Sequence, residues 1–179
     1  SKISTPMSTY LDFKNSRTSF GINVMKSIVV EVEASDGSIG VSTGQGGAPA
    51  CYMIEQHFRR FIVGLDPRDI NKAWDQMYRA SMYYGGKGLP MWAISVVDLA
   101  LWDLLGVIRN EPVYKMIGGS VRDEIELYCT GIRPDAAKEA GFIGGKMPLP
   151  FAPVDRHEGL KANVEHFQEM RNKVGSDFW

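Results

Sequence analysis

Ala93-Ile94-Ser95-Val96-Val97-Asp98-Leu99-Ala100-Leu101-Trp102-Asp103-Leu104-Leu105-Gly106 is the most apolar run in the 179-residue chain. Together with Met91, the residues Ile94, Val97, Leu101, Leu104 and Leu105 recur at spacings of three and four and cover one broad helical face. Ala93 and Ala100 lie beside that face, and Gly106 sits near its end. So wide an apolar face predicts a helix sunk in a core. Asp98 and Asp103 stand five residues apart, about 140° round such a helix, so they cannot serve as one acid/base pair. They read instead as structural carboxylates, hydrogen-bonded or ion-paired where one domain meets the next.

Upstream of this helix the grammar is strand, strand, helix, helix. Ile22, Val24, Ile28, Val30 and Val32 alternate apart from one skip near Lys26, which predicts a strand over 22–34 with one buried face. Asp36-Gly37 supplies a turn, and Ile39-Gly40-Val41 resumes the pattern, so the two runs pair as an antiparallel hairpin. The stretch Ser42 to Ala50 is rich in glycine and poor in apolar residues, and it reads as a loop that could close over a ligand. Pro49 opens a helix carrying Cys51, Ile54, Phe58, Phe61 and Ile62 on one face, with Gly64 as its stop. Asp66-Pro67 or Asp69 opens the next, with Ile70, Trp74, Met77 and Tyr78 on one face up to Gly85-Gly86-Lys87-Gly88.

Downstream of Pro112 and Gly118-Gly119 strands and helices alternate. Ile125, Leu127 and Cys129 mark a strand, Arg133-Pro134 opens a short helix through Ala140, and Gly141 to Lys146 reads as a second strand. Residues 156–174 form an amphipathic helix, and Ser176-Asp177-Phe178-Trp179 is the first step into a third strand. Such alternation implies parallel pairing through right-handed crossovers. Two strands and a stub do not cover both faces of a parallel sheet, so the chain is expected to be part of something longer. The expected domains are 1–120, an α+β unit, and 121–179, the opening of a larger one.

Composition narrows the function classes. With 44% apolar and 23% charged residues the chain is ordinarily globular. Twenty Lys and Arg against 21 Asp and Glu leave a net charge of −1, which provides no electrostatic footprint for nucleic acid or an anionic membrane. No 18 consecutive residues are apolar, and Ser1-Lys2-Ile3-Ser4 lacks an apolar signal core, so a soluble, untargeted, cytoplasmic chain is expected. Cys51 and Cys129 form no CxxC or Cys/His cluster, which disfavours a disulfide scaffold or a zinc site. His57, His157 and His166 lack a second ligand at i+4 and read as surface residues. The glycine-rich 85–88 segment follows a helix and lacks the P-loop spacing. Tyr83, Tyr84, Trp92 and Trp102 read as packing residues.

The run 93–106, followed by Pro112-Val113-Tyr114-Lys115-Met116-Ile117-Gly118-Gly119, resembles the signature of the mandelate racemase and muconate lactonizing branch of the enolase superfamily. Val107 stands where that branch usually has a basic residue, and Met116 where it usually has Leu. Several separate segments also look like the L-rhamnonate dehydratase group within the branch. They are residues 16–24 (SRTSFGINV), Met82-Tyr83-Tyr84, Val121 to Ile125, Arg133-Pro134-Asp135 and, above all, Gly141-Phe142-Ile143-Gly144-Gly145-Lys146-Met147-Pro148.

The resemblance implies an α+β capping domain, an antiparallel sheet plus helices, followed by the first βα units of an incomplete (β/α) barrel. It also implies a hydro-lyase in which a base removes the proton α to a carboxylate and Mg²⁺ stabilises the resulting enediolate. The metal ligands are then three carboxylates at the ends of the third, fourth and fifth barrel strands, with a His-Asp pair on later strands. A whole barrel takes about 250 residues, so residues 1–179 include none of these, and neither a catalytic residue nor a metal ligand is assigned.

Two residues are candidates for substrate binding. Arg17 lies in the segment that, in the resembled enzymes, folds over the barrel mouth and contacts a substrate carboxylate or hydroxyl. Lys146 ends the second barrel strand, where related racemases carry a Lys-x-Lys pair. Here the order is Lys146-Met147-Pro148, and proline cannot take a proton, which fits a dehydratase better than a racemase. The expected partners are an acid-sugar substrate and, as a homo-oligomer, further copies of the chain. The alternatives are a non-catalytic truncated paralogue or oligomerisation domain, and a dehydratase for another acid sugar.

Overall fold

The hairpin forms as its pattern predicts. In the computed structural model, which describes residues 27–179, β1 (Ile28–Glu33) and β2 (Ile39–Gly44) pair antiparallel from Ile28↔Gly44 to Glu33↔Ile39. Arg17 and the part of the predicted strand before Ser27 lie outside the described residues. At the turn, Gly37 takes φ +86°, and the Ser38 N–H donates to the Asp36 carboxylate at 2.9 Å.

The described residues divide into two units, one reaching Val121 and one starting at Arg122. In the first, Gly47–Met53 (α1), a π-helical turn over Ile54–Phe58 and Arg59–Ile62 (α2) form one continuous helical run. It ends where Val63 becomes extended and Gly64 takes φ +82°. Ile70–Ala80 (α3) follows, and Leu89–Arg109 (α4) is the predicted apolar helix.

The segment 42–50 is not a loop. β2 runs to Gly44 and α1 starts at Gly47, leaving only Gln45 and Gly46 between them. Gly46 and Gly47 turn the chain there, with φ +127° and +55°, whereas Gly40 and Gly44 serve close approach. A Cβ on Gly40 would lie 2.3 Å from both the Ala100 carbonyl oxygen and the Leu104 nitrogen, and one on Gly44 would lie 2.2 Å from Val96 Cγ2. Between them the Ser42 hydroxyl donates to the Val96 carbonyl. The inner face of β2 is thus almost bare backbone laid on α4.

Gly106 lies near the end of α4, as expected. The helix continues to Arg109 and closes on Asn110 in the left-handed region, φ 49°. At Gly106 the returning chain packs close, since a Cβ there would meet the Glu111 carbonyl oxygen at 3.0 Å. A short helix that the pattern did not suggest, α5 (Val113–Met116), follows. Phe58, Met77, Ile94, Val97 and Leu104 are the largest fully buried apolar side chains, each contributing about 1.5–3 kcal/mol by leaving water. By length and composition α4 would suffice to cross a membrane, and half of its most apolar window is buried inside this unit as the core.

In the second unit β3 (Tyr128–Thr130) and β4 (Gly144–Lys146) pair in parallel, Tyr128↔Gly144 to Thr130↔Lys146, with α6 (Pro134–Glu139) between them in sequence and α7 (Arg156–Val174) after them. Ile125 and Leu127 are exposed, so β3 starts later than the alternation suggested. Trp179 extends the ladder. Its N–H donates to the Ile143 carbonyl at 3.0 Å, and its carbonyl accepts from the Gly145 N–H at 2.7 Å, the pattern of a third parallel strand beside β4. Phe178 is buried with Ala137 and Val174, and Cys129 and Phe142 pack against them.

Candidate functional site

The end of the parallel pair gathers the polar groups of the second unit. Lys146 is the last residue of β4, its carbonyl accepts from the Gly131 N–H at 3.0 Å, and Arg133 follows Gly131 by two residues. Both strands therefore deliver a cation beyond their C-terminal ends. The Arg133 guanidinium grips Asp135 in the first turn of α6 with a two-point contact at 2.8 and 2.9 Å. That contact pulls the Asp135 carboxyl down to about 2. Lys146 is exposed and makes no ion pair among the described residues.

The loop after β4 is pinned from α7. Asn163, a buried polar residue, accepts from the Phe151 N–H and donates to the Phe151 carbonyl, both at 3.0 Å. The Asp155 carboxylate accepts from the Ala152 N–H at 3.0 Å. A Cβ on Gly159 would sit 2.4 Å from Asp155 Cβ, so the missing side chain lets the loop close on the helix. None of these three anchors stood out in the sequence. Asn163 and Gly159 inside a helix read, without the fold, only as weak spots in that helix. On the far side of the unit, Lys138 donates to the Val174 carbonyl at 2.7 Å and pairs with Asp177 at 3.1 Å, while Arg171 donates to the Phe178 and Gly175 carbonyls.

The remaining candidates separate. Asp103 accepts from the Val41 N–H at 2.8 Å, so it ties α4 to β2 inside the first unit rather than at a junction between domains. Asp98 has no hydrogen-bond partner among the described residues, and its partial burial pushes its carboxyl up. His57 is not a surface residue. It lies in the π-helical turn against Phe58, Phe61 and Tyr84, with ring centroids 5.4, 6.0 and 5.6 Å away, and its Nδ1 is buried without a partner among the described residues. Tyr83 departs from its packing assignment, being 99% exposed. Cys51 and Cys129 are free thiols. Among the described residues no three His, Cys, Asp or Glu side chains gather as a metal ion requires, so this part of the protein does not fit a resident Mg²⁺.

With the geometry in place, the chain can be set beside known proteins. Residues 7–118 match the N-terminal domain of the mandelate racemase / muconate lactonizing enzyme family. The chain belongs to that family. The hairpin and helices of the first unit are the family's capping domain, and the short parallel sheet matches part of the solved enolase-superfamily structures. The chain is 54% identical over 177 residues to an L-rhamnonate dehydratase of Saccharopolyspora erythraea, covering 99% of this chain and 45% of that protein. The crystal structure of an L-rhamnonate dehydratase from Gibberella zeae superposes with a TM-score of 0.87 at 59% identity over 98% of this chain and 45% of the other. The same Gibberella enzyme complexed with Mg matches equally well, with 43% of its chain covered. The 179 residues thus span about half the length of the relatives they resemble.

Proposed function

We propose that the chain is the N-terminal portion of a magnesium-dependent hydro-lyase that converts L-rhamnonate to 2-keto-3-deoxy-L-rhamnonate. In this reaction the proton on C2, next to the carboxylate, is removed, the C3 hydroxyl leaves as water, and the resulting enol becomes the 2-keto acid. The observation that carries the reading is the 54% identity to an L-rhamnonate dehydratase across almost the whole chain. Residues 1–120 act as the capping domain and 121–179 begin the barrel. Arg17 and Lys146 bind substrate carboxylate or hydroxyls through charge-assisted hydrogen bonds. Lys146 stands where such a contact belongs, at the C-terminal end of a barrel strand. The acid/base groups and the Mg²⁺ ligands come from barrel residues beyond 179, so these 179 residues alone show no turnover. A cytoplasmic homo-oligomer with no nucleic-acid or membrane partner belongs to the same reading.

The test compares these 179 residues with the same residues continued through a barrel, assayed on L-rhamnonate and related sugar acids with Mg²⁺. The longer chain dehydrates L-rhamnonate. In it Arg17→Met or Lys146→Met raises KM roughly tenfold to a hundredfold, the loss expected for one hydrogen bond to a charged group. Absence of L-rhamnonate turnover in the longer chain would sink the substrate assignment, and an unchanged KM in both variants would remove these residues from the site.

A second reading, a non-catalytic paralogue that persists as an oligomer, draws on exposed apolar side chains in the second unit. Leu160, Val164 and Phe167 follow one another at spacings of four and three along α7 and are all exposed. A monomer in sedimentation with a cooperative melt counts against it.

A further inference from the structure

Gly145 fixes which way the end of β4 faces. A Cβ there would lie 3.0 Å from Pro134 Cβ and 3.2 Å from Phe178 Cε1, and its strand partner Cys129 packs with the cluster of Ala137, Val174 and Phe178. The helices therefore cover the Gly145 side of the sheet, and alternation turns Lys146 to the opposite side, the one a closed barrel encloses. From Lys146 to Phe151 the chain passes through Met147-Pro148-Leu149-Pro150, and both ends of this segment are held. At the near end the Lys146 carbonyl accepts from the Gly131 N–H. At the far end Asn163 takes both polar groups of the Phe151 backbone, and Asp155 takes the N–H of Ala152, one residue further on. Two prolines of fixed φ and no glycine leave the segment little freedom. Its four side chains carry no N–H or O–H group, and two of its backbone nitrogens belong to proline. Leu149 is 62% exposed among the described residues.

We propose, resting on the L-rhamnonate dehydratase reading above, that residues 147–150 form the pocket wall that receives the apolar methyl end of the substrate, with Asn163 as the positioning residue that holds this wall. L-Rhamnonate is 6-deoxy-L-mannonate, a chain of hydroxylated carbons that begins in a carboxylate and ends in a methyl group. The segment leaves the C-terminal end of a barrel strand, the face at which such barrels bind their substrates. It follows directly on Lys146, which engages carboxylate or hydroxyls. Against side chains without donors a methyl loses nothing, whereas a terminal hydroxyl gives up hydrogen bonds to water that the wall does not replace. The wall is set before substrate arrives, so binding has little left to order. Asn163 acts through the Phe151 backbone and not on the substrate. The contact therefore favours a 6-deoxy sugar acid over its 6-hydroxy counterpart.

The experiment uses the chain continued through its barrel, with Mg²⁺, and compares kcat/KM for L-rhamnonate and L-mannonate in the parent, in Leu149→Ser and in Asn163→Ala. The parent prefers L-rhamnonate by about tenfold to a hundredfold, the range an apolar pocket gives against one added hydroxyl. Leu149→Ser cuts that preference roughly tenfold, through a higher KM for L-rhamnonate. Asn163→Ala cuts it as well, whereas a merely structural asparagine would lower activity on both acids alike. Melting reports that each variant is folded, and the exposed Leu149 decides the matter if Asn163→Ala is not. An unchanged ratio in Leu149→Ser, or a parent that uses both acids equally, overturns the wall while leaving the dehydratase reading in place. Equal losses on both acids in folded Asn163→Ala overturn its positioning role. A parent that dehydrates neither acid overturns the dehydratase reading and the wall with it.

Discussion

Asn163 holds both polar groups of the Phe151 backbone from a buried place on α7. Asn163→Ala therefore leaves an N–H and a carbonyl without partners, and the second unit loses about 1–3 kcal/mol in urea unfolding. The same loop is expected to exchange its amides faster in that variant. Asp135 carries a different signature. Its folded carboxyl titrates at about 2 because the Arg133 guanidinium holds it, whereas an unfolded Asp titrates near 4. A depressed pKa means that its contribution is present above pH 4 and disappears as the pH falls toward 2. Asp135→Asn flattens the stability of the second unit across that window: it lowers stability at pH 7, where the contribution is full, by an amount kept small by the pair's exposure, and leaves it unchanged near pH 2. Asp66, likewise held at about 2 by Arg68, supplies the same dependence in the first unit.

Between β2 and α4, the contact is made by the absence of side chains. Gly40→Ala drives a methyl into the α4 backbone at Ala100 and Leu104 and should cost roughly 1–3 kcal/mol or prevent the hairpin from docking, as core overpacking does. Asp103→Ala removes the acceptor of the Val41 N–H and costs about 0.5–1.5 kcal/mol. Elements whose apolar residues keep a period were legible before any coordinates. α3, α4, α7 and the hairpin fall where the spacing put them, because burial of one face is what selects both the residues and the element. The stretch from Ser42 to Ala50 was misread because glycine has the same sequence appearance whether it bends the chain or admits a neighbouring helix. His57 was misplaced because a π-helical turn shifts the faces of the residues after it by one position, which no 3.6-residue count anticipates.

At the scale of the whole molecule, two units with separate cores predict separable responses. Hydrogen exchange should show Gly40→Ala loosening residues before Val121 and Asn163→Ala loosening those after it. The lineage was readable from ordered motifs spread over both units, and Lys146 stands at the strand end where the resemblance put it. Arg17 lies outside the described residues, and the loop anchors Asn163, Asp155 and Gly159 went unseen because they act through backbone groups of residues far off in the sequence. The bare inner face of β2 also bears on how the chain folds. Slipping the hairpin by one residue would swing Ile39, Val41 and Thr43 onto a helix backbone that has no space even for a methyl group. A misaligned hairpin is thus refused at the moment of assembly, and the long helix acts as a gauge that accepts a single strand alignment.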